Sequence, residues 1–141
     1  MLISKEFKNQ IKKQIIDYYK KKLETTKLEP KTLGFLIRAF HVNLPIYVLI
    51  FLIYGSKLYS QFLIFSLFLS LFLFVLFDGC LISMIEQSID GVNITIMDPF
   101  LEAYNMEKIN KNRIKISLII GPLFILLSFF IYYLRFIRNR S

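Results

Sequence analysis

Arg38, His41, Asp78, Cys80, Ser83 and Glu86 are the residues whose types could do chemistry in this chain. An imidazole, a thiolate and two carboxylates, His41, Cys80, Asp78 and Glu86, make a plausible zinc set. His41 beside Asp78 or Glu86 is alternatively an acid–base pair or a proton relay. Arg38 and Asp78 are opposite charges set in apolar surroundings, where a charge must pair or line a cavity. Cys80 next to a membrane is open to palmitoylation, although a buried thiol ordinarily keeps its proton. One histidine, one cysteine and five glycines exclude an internal disulfide, a CxxC pair and an HExxH pair, and no phosphate-binding glycine loop or GxSxG elbow is present.

The elements that position these residues are apolar helices. More than half of the chain is apolar, 55%, which is more than a soluble domain of this size can cover. Those residues are concentrated in blocks long enough to cross a hydrocarbon core, which takes roughly 20 residues of helix. The expected fold is all-α, with three transmembrane helices at 33–54, 59–87 and 114–137. Gly55, Ser56 and Lys57 form a turn so short that the second helix must run back antiparallel to the first. Folded about Lys57, Arg38 lies nineteen positions before it and Asp78 twenty-one after it. Their depths then differ by only about 3 Å. Gly34, Arg38, His41 and Pro45 share a face of the first helix. Asp78, Gly79, Ser83, Glu86 and Asp90 cover an arc of roughly 140° on the second. If those faces meet, Arg38 and His41 reach the acidic arc; in the simplest arrangement Arg38 and Asp78 pair to orient the two helices, His41 is hydrogen-bonded nearby, and Glu86 and Asp90 are solvated.

Residues 1–32 form a separate basic segment ahead of the membrane domain, 33–141. Nine lysines fall within it. Ile3, Phe7, Ile11, Ile15 and Tyr18 recur at helical spacing, so the segment is expected to be an amphipathic helix lying in the membrane interface. Beside apolar spans, the partner these lysines suit is anionic lipid head groups rather than nucleic acid. Glu29-Pro30 ends the helix. The connection 88–113 contains an extended stretch at Val92–Ile96 and then a short helix, with Asp98 as its cap and Pro99 at its first position, running into the third span. Pro122 should kink that span.

Orientation follows the basic residues. A cytoplasmic N-terminus places thirteen of them on the cytoplasmic side and leaves Lys57, Arg135, Arg138 and Arg140 opposite. The C-terminus is then expected on the far side, and the short helix before the third span is cytoplasmic. The sequon Asn93-Ile94-Thr95 would be cytoplasmic too, and unmodified.

From His41 to Gln87 the chain resembles a family of small bacterial membrane proteins of unknown function. Their pattern is a helix with a His, a short turn, a second helix and then Cys-x-x-Thr-x-x-Glu-Asn. Here the last part reads Cys80-Leu81-Ile82-Ser83-Met84-Ile85-Glu86-Gln87, with Ser83 for Thr, Gln87 for Asn, Leu81 where a Pro is usual, and without the second His. It is also similar to small multi-pass proteins of giant DNA viruses, in which Asp-Gly-Cys and a later Glu recur. The resemblance implies no activity, and it makes Cys80, Ser83 and Glu86 a unit. With no complete catalytic constellation, the expected function is a non-enzymatic structural or interaction component of a membrane, acting through lipid, through a second copy or through another membrane protein. The alternative is a membrane enzyme or a proton- or metal-handling protein built on His41, Asp78, Cys80 and Glu86.

Overall fold

The structure, a computed structural model, describes residues 4–138; Ile3 and Arg140 lie outside them. Every regular element among the described residues is a helix. In chain order these are α1 (Lys5–Glu24), α2 (Pro30–Tyr54), α3 (Lys57–Leu76), α4 (Leu81–Asp90), α5 (Asp98–Ala103) and α6 (Asn110–Phe136). Val92–Ile96 forms no strand. Three helices, α2, α3 and α6, are long and apolar enough to cross a membrane. At 1.5 Å per residue they are about 37, 30 and 40 Å long. The chain divides into two compact units, 1–42 with 73–96 and 43–72 with 97–141. Both α2 and α3 contribute to each of the two.

In the first unit, Ser4 caps α1, its hydroxyl accepting from the Phe7 amide at 3.2 Å, which satisfies one of the donors a helix start leaves free. The helix packs against α4. Its inner side is Lys8, Ile11, Lys12, Ile15, Ile16, Lys20 and Leu23, all half-buried, while Phe7, Tyr18 and Tyr19 stay exposed. The expected stripe is therefore divided. Steps of four advance 40° around a helix, so Ile11 and Ile15 turn away from the face that holds Phe7 and Tyr18. Pro30 opens α2, where its missing N–H costs nothing.

The second span is shorter than expected. It ends at Leu76 rather than running to residue 87. Phe77–Cys80 make a turn in which Asp78 has a φ of 54° and Gly79 a φ of 148°. Asp tolerates the left-handed region through its short polar side chain, and glycine is the residue suited to the second conformation. The Gly79 amide donates to Phe74 O at 3.0 Å and closes the end of α3. Lys12 reaches the same place from α1, with Nζ donating to Phe77 O at 3.2 Å. A cation at exposed C-terminal carbonyls is favourable.

In the second unit, Val48, Leu52 and Ile64 form a buried cluster covered by Leu67, Phe124, Ile131 and Tyr132, which joins α2, α3 and α6. Ser60 and Ser128 are fully buried and return their hydroxyls to carbonyls four residues back, Ser56 O just before α3 and Phe124 O within α6. Small side chains of this kind let membrane helices approach closely. Gln61 Nε2 donates to the Tyr132 hydroxyl at 2.9 Å and Arg135 Nη1 to Leu52 O at 2.8 Å. The helix before the third span does not run into it. Residues 104–109 interrupt the chain, with Asn105 at a φ of 51°. Asp98 is the first residue of α5 rather than its cap.

The Asp78–Gly79 turn generates a prediction with two signs. Gly79→Ala forces a side chain into a conformation that only glycine adopts freely and should cost about 1–3 kcal/mol. Asp78→Gly should be neutral or stabilising by up to about 1 kcal/mol. Thermal unfolding followed by circular dichroism in detergent measures both.

Candidate functional site

Two polar clusters lie in the described structure, one in each unit. In the first, α4 brings Glu86 and Asp90 to the face of α2 that carries Gly34, Arg38 and His41. Arg38 Nε donates to Glu86 Oε1 at 2.5 Å and Nη2 to Asp90 Oδ2 at 2.7 Å. Both carboxylate side chains are 3% exposed and that of Arg38 is 25% exposed. Asp90 Oδ1 also accepts the Val92 amide at 2.9 Å. Gly34 makes room for this packing, because a Cβ there would lie 2.5 Å from Asp90 Oδ2. One guanidinium thus serves two carboxylates, and charge-assisted bonds of this kind are about twice as strong as neutral ones.

The expected partner of Arg38 was Asp78. Among the described residues its carboxylate partners are Glu86 and Asp90, whereas Asp78 is exposed in the turn. The physical reason is the early end of α3. With the chain turned at Asp78–Gly79, α4 begins a new helix whose acidic side faces α2, and the continuous helix assumed from the sequence does not exist. Glu86 and Asp90 are consequently paired rather than solvated. Burial pushes the Glu86 carboxyl upward, the Arg38 bond and charge pull it down, and Asp90 pushes it up again; it ends above the ordinary carboxylate range.

One turn further along α2, His41 is 7% exposed. Its Nε2 lies 3.4 Å from Cys80 Sγ. Cys80 occupies the N-cap position of α4 in extended conformation, with φ −77° and ψ 118°. Its sulfur closes no capping hydrogen bond, yet the amides of Ser83 and Ile82 lie where they favour a thiolate. Burial raises the thiol's pKa; the bond and charge of His41, with those two amides, lower it further, and the balance falls below the ordinary thiol value. A helix N-terminus and an adjacent imidazole are the two environments that make a cysteine nucleophilic. The Nδ1 atom of His41 is buried and has no hydrogen-bond partner among the described residues.

The unit Cys80, Ser83 and Glu86 therefore sits along the first turns of α4, with Ser83 and Glu86 both buried. Of the expected zinc set, His41 and Cys80 are in contact, Glu86 is engaged by Arg38, and Asp78 is exposed. Among the described residues, no group of three or more His, Cys, Asp or Glu converges so as to hold a metal ion.

The second cluster went unanticipated. Arg113, at the start of α6, donates from Nε and Nη2 to the two oxygens of Asp98 at 2.8 and 2.9 Å. Both side chains are nearly buried. The bidentate geometry ties α5 to α6. The available signal was an arginine placed directly before an apolar block, with an acid opening the preceding helix.

Removing Arg38 should leave two buried carboxylates without their cation. Arg38→Leu is expected to cost about 3–5 kcal/mol, and adding Glu86→Gln and Asp90→Asn should restore most of it. The loss has a pH signature. A carboxyl whose folded pKa is raised binds its proton more tightly in the fold, so stability declines as pH rises through that pKa. Without Arg38 the rise is greater, and unfolding of the single variant should become easier as pH rises above the ordinary carboxylate range. Thermal scans of both variants across pH test this. No family model, curated protein or solved structure matches the chain, so the clusters are read from their own geometry.

Proposed function

We propose that this chain is a resident multi-pass membrane protein, with its N-terminus cytoplasmic and its C-terminus opposite, acting as a non-enzymatic structural or interaction component. One observation carries the reading. Large apolar side chains point outward all along the three long helices: Phe35, Phe51, Phe62, Phe72, Leu126 and Phe130 are each more than half exposed, while Ser60 and Ser128 are fully buried. In water that arrangement leaves a large apolar area uncovered; in lipid it is the expected one.

Thirteen basic residues on one side against four on the other support the orientation. The exposed aromatics Phe7 and Tyr18 on the outer side of α1 support an interfacial seat for that helix. Lysines near an anionic surface contribute about 1 kcal/mol each. The connection with α5 would then be cytoplasmic. The resemblance of the stretch from His41 to Gln87 to small bacterial and viral membrane proteins without known activity points the same way. A second reading, chemistry at the polar cluster of α2 and α4, is favoured by the contact between His41 and Cys80.

The chain has no tryptophan, which makes Phe7→Trp a clean reporter. Reconstituted in vesicles containing phosphatidylserine, its emission should shift to the blue and be quenched by brominated lipid, and it should shift less in phosphatidylcholine alone or at high salt. Emission typical of a solvated indole in both lipids would remove the interfacial helix. A chain that stays monodisperse in plain buffer without detergent would remove the membrane reading altogether.

A further inference from the structure

The contact of His41 with Cys80 is the feature of the molecule that structural packing leaves least explained. A core histidine is ordinarily held through both ring nitrogens. Here Nε2 is given to a sulfur at 3.4 Å, and Nδ1 is buried with no hydrogen-bond partner among the described residues. When the thiol donates to Nε2, or when its proton has passed to the ring, Nδ1 carries hydrogen and can donate to an acceptor oxygen. The thiol is half-buried, four positions beyond the end of a helix able to cross a membrane.

Three chemistries suit such a thiol, and two of them lack parts. A disulfide needs a second thiol, and the chain has one cysteine. A metal needs further converging donors, and none converge among the described residues. Acyl transfer needs only a nucleophile and a proton carrier, both of which are in contact. Cations stand close by. Lys12 is bonded to Phe77 O, three positions before Cys80, and Lys8 and Lys20 lie on the same half-buried side of α1. That charge suits a donor with phosphates.

We propose that Cys80 is an S-acylation site that takes a long-chain acyl group from an acyl-coenzyme A thioester, with His41 as the proton carrier. His41 Nε2 accepts the thiol proton. The sulfur attacks the thioester carbonyl carbon, a new carbon–sulfur bond forms, and the bond to the coenzyme's sulfur breaks. The leaving thiolate takes the proton back from His41. One thioester replaces another, and nothing is oxidised or reduced. The acyl chain then lies in the lipid beside the outward apolar side chains of the spans. Thiol activation stands independently of the membrane reading; only the long-chain donor rests on it.

The titratable group in contact with the thiol is His41 from α2; Asp78 precedes it by two residues in the turn, Lys12 of α1 is bonded to Phe77 O, and Arg38, Glu86 and Asp90 pair with one another further along α2 and α4. The test uses the full chain, in detergent or in plain buffer if it proves soluble. Iodoacetamide labelling of the wild type across pH should show a midpoint below the ordinary thiol value of about 8.5. Incubation with palmitoyl-coenzyme A near neutral pH should add one acyl mass, removed by neutral hydroxylamine and absent from Cys80→Ser. His41→Gln should acylate about tenfold more slowly or worse at that pH, and recover as alkali makes the thiolate without help. An alkylation midpoint at or above the ordinary value in the wild type overturns the proposal, whether or not the His41 variant folds. So does labelling by acetyl-coenzyme A as fast as by the long-chain donor, or a slow His41→Gln variant that alkali does not rescue. Stoichiometric zinc that blocks alkylation would replace it with a metal site.

Discussion

A guanidinium carried on an apolar helix must be answered by negative charge, and most of the first unit follows from how Arg38 is answered. Two carboxylates meet it, from positions four residues apart on α4. That spacing places Glu86 and Asp90 on one helix face. Together they fix both the rotation of α4 and its position along α2. Desolvating three charges is expensive, and a buried network of this kind selects an arrangement more than it adds stability. Gly34 belongs to the same constraint, since any side chain there would collide with Asp90. The result is a specified contact between helices in a chain whose other surfaces are largely interchangeable Leu, Ile and Phe.

The three long helices were legible because the signal is one of solvent. Blocks of twenty or more apolar residues have few other homes, and Gly55-Ser56 left no room for anything but a reversal. The outline of the site was legible too. Gly34, Arg38 and His41 lie on the face of α2 that α4 meets, as their spacing implies. What could not be read was the identity of the partners. Asp78-Gly79-Cys80 is compatible with a helix that continues, since Leu81, Ile82, Met84 and Ile85 sustain the apolar pattern. Only backbone conformation decides between continuation and a turn, and one positive φ at Asp78 and another at Gly79 decide it. A four-residue turn inside the expected helix then moved every side chain beyond it. Asp78 was expected in the pair and lies in the turn; Glu86 and Asp90 were expected in water and are buried.

The same limitation explains Asp98 and Arg113. Each has a sufficient local reading, a helix-starting acid and a cytoplasmic cation. Their pairing is a tertiary fact, created by the break at residues 104–109 that lets α5 fold back along the first turn of α6. The α1 stripe shows a milder version. Apolar spacing identified a helix with two kinds of side, but a helix touched on one side by protein and exposed on the other has two apolar faces. Ile11 and Ile15 serve the first, Phe7 and Tyr18 the second, and a single periodicity cannot separate them.

The turn also bears on reactivity. Had α3 continued through residue 80, the cysteine would sit in a helix interior. Its sulfur would lie over the preceding turn near carbonyl oxygens, a setting that opposes a thiolate. Ending α3 at Leu76 makes Cys80 the N-cap of a new helix. Its sulfur then lies beside free amides, at the positive end of the α4 dipole. Docking of α4 on α2 through Arg38 places His41, one turn along, against that sulfur. The charge cluster and the thiol–imidazole contact are therefore coupled through α4. The ion pairs hold α4 against α2, and the turn decides which atoms its N-cap residue meets. Loosening either would return Cys80 to the inert state that a buried thiol ordinarily keeps.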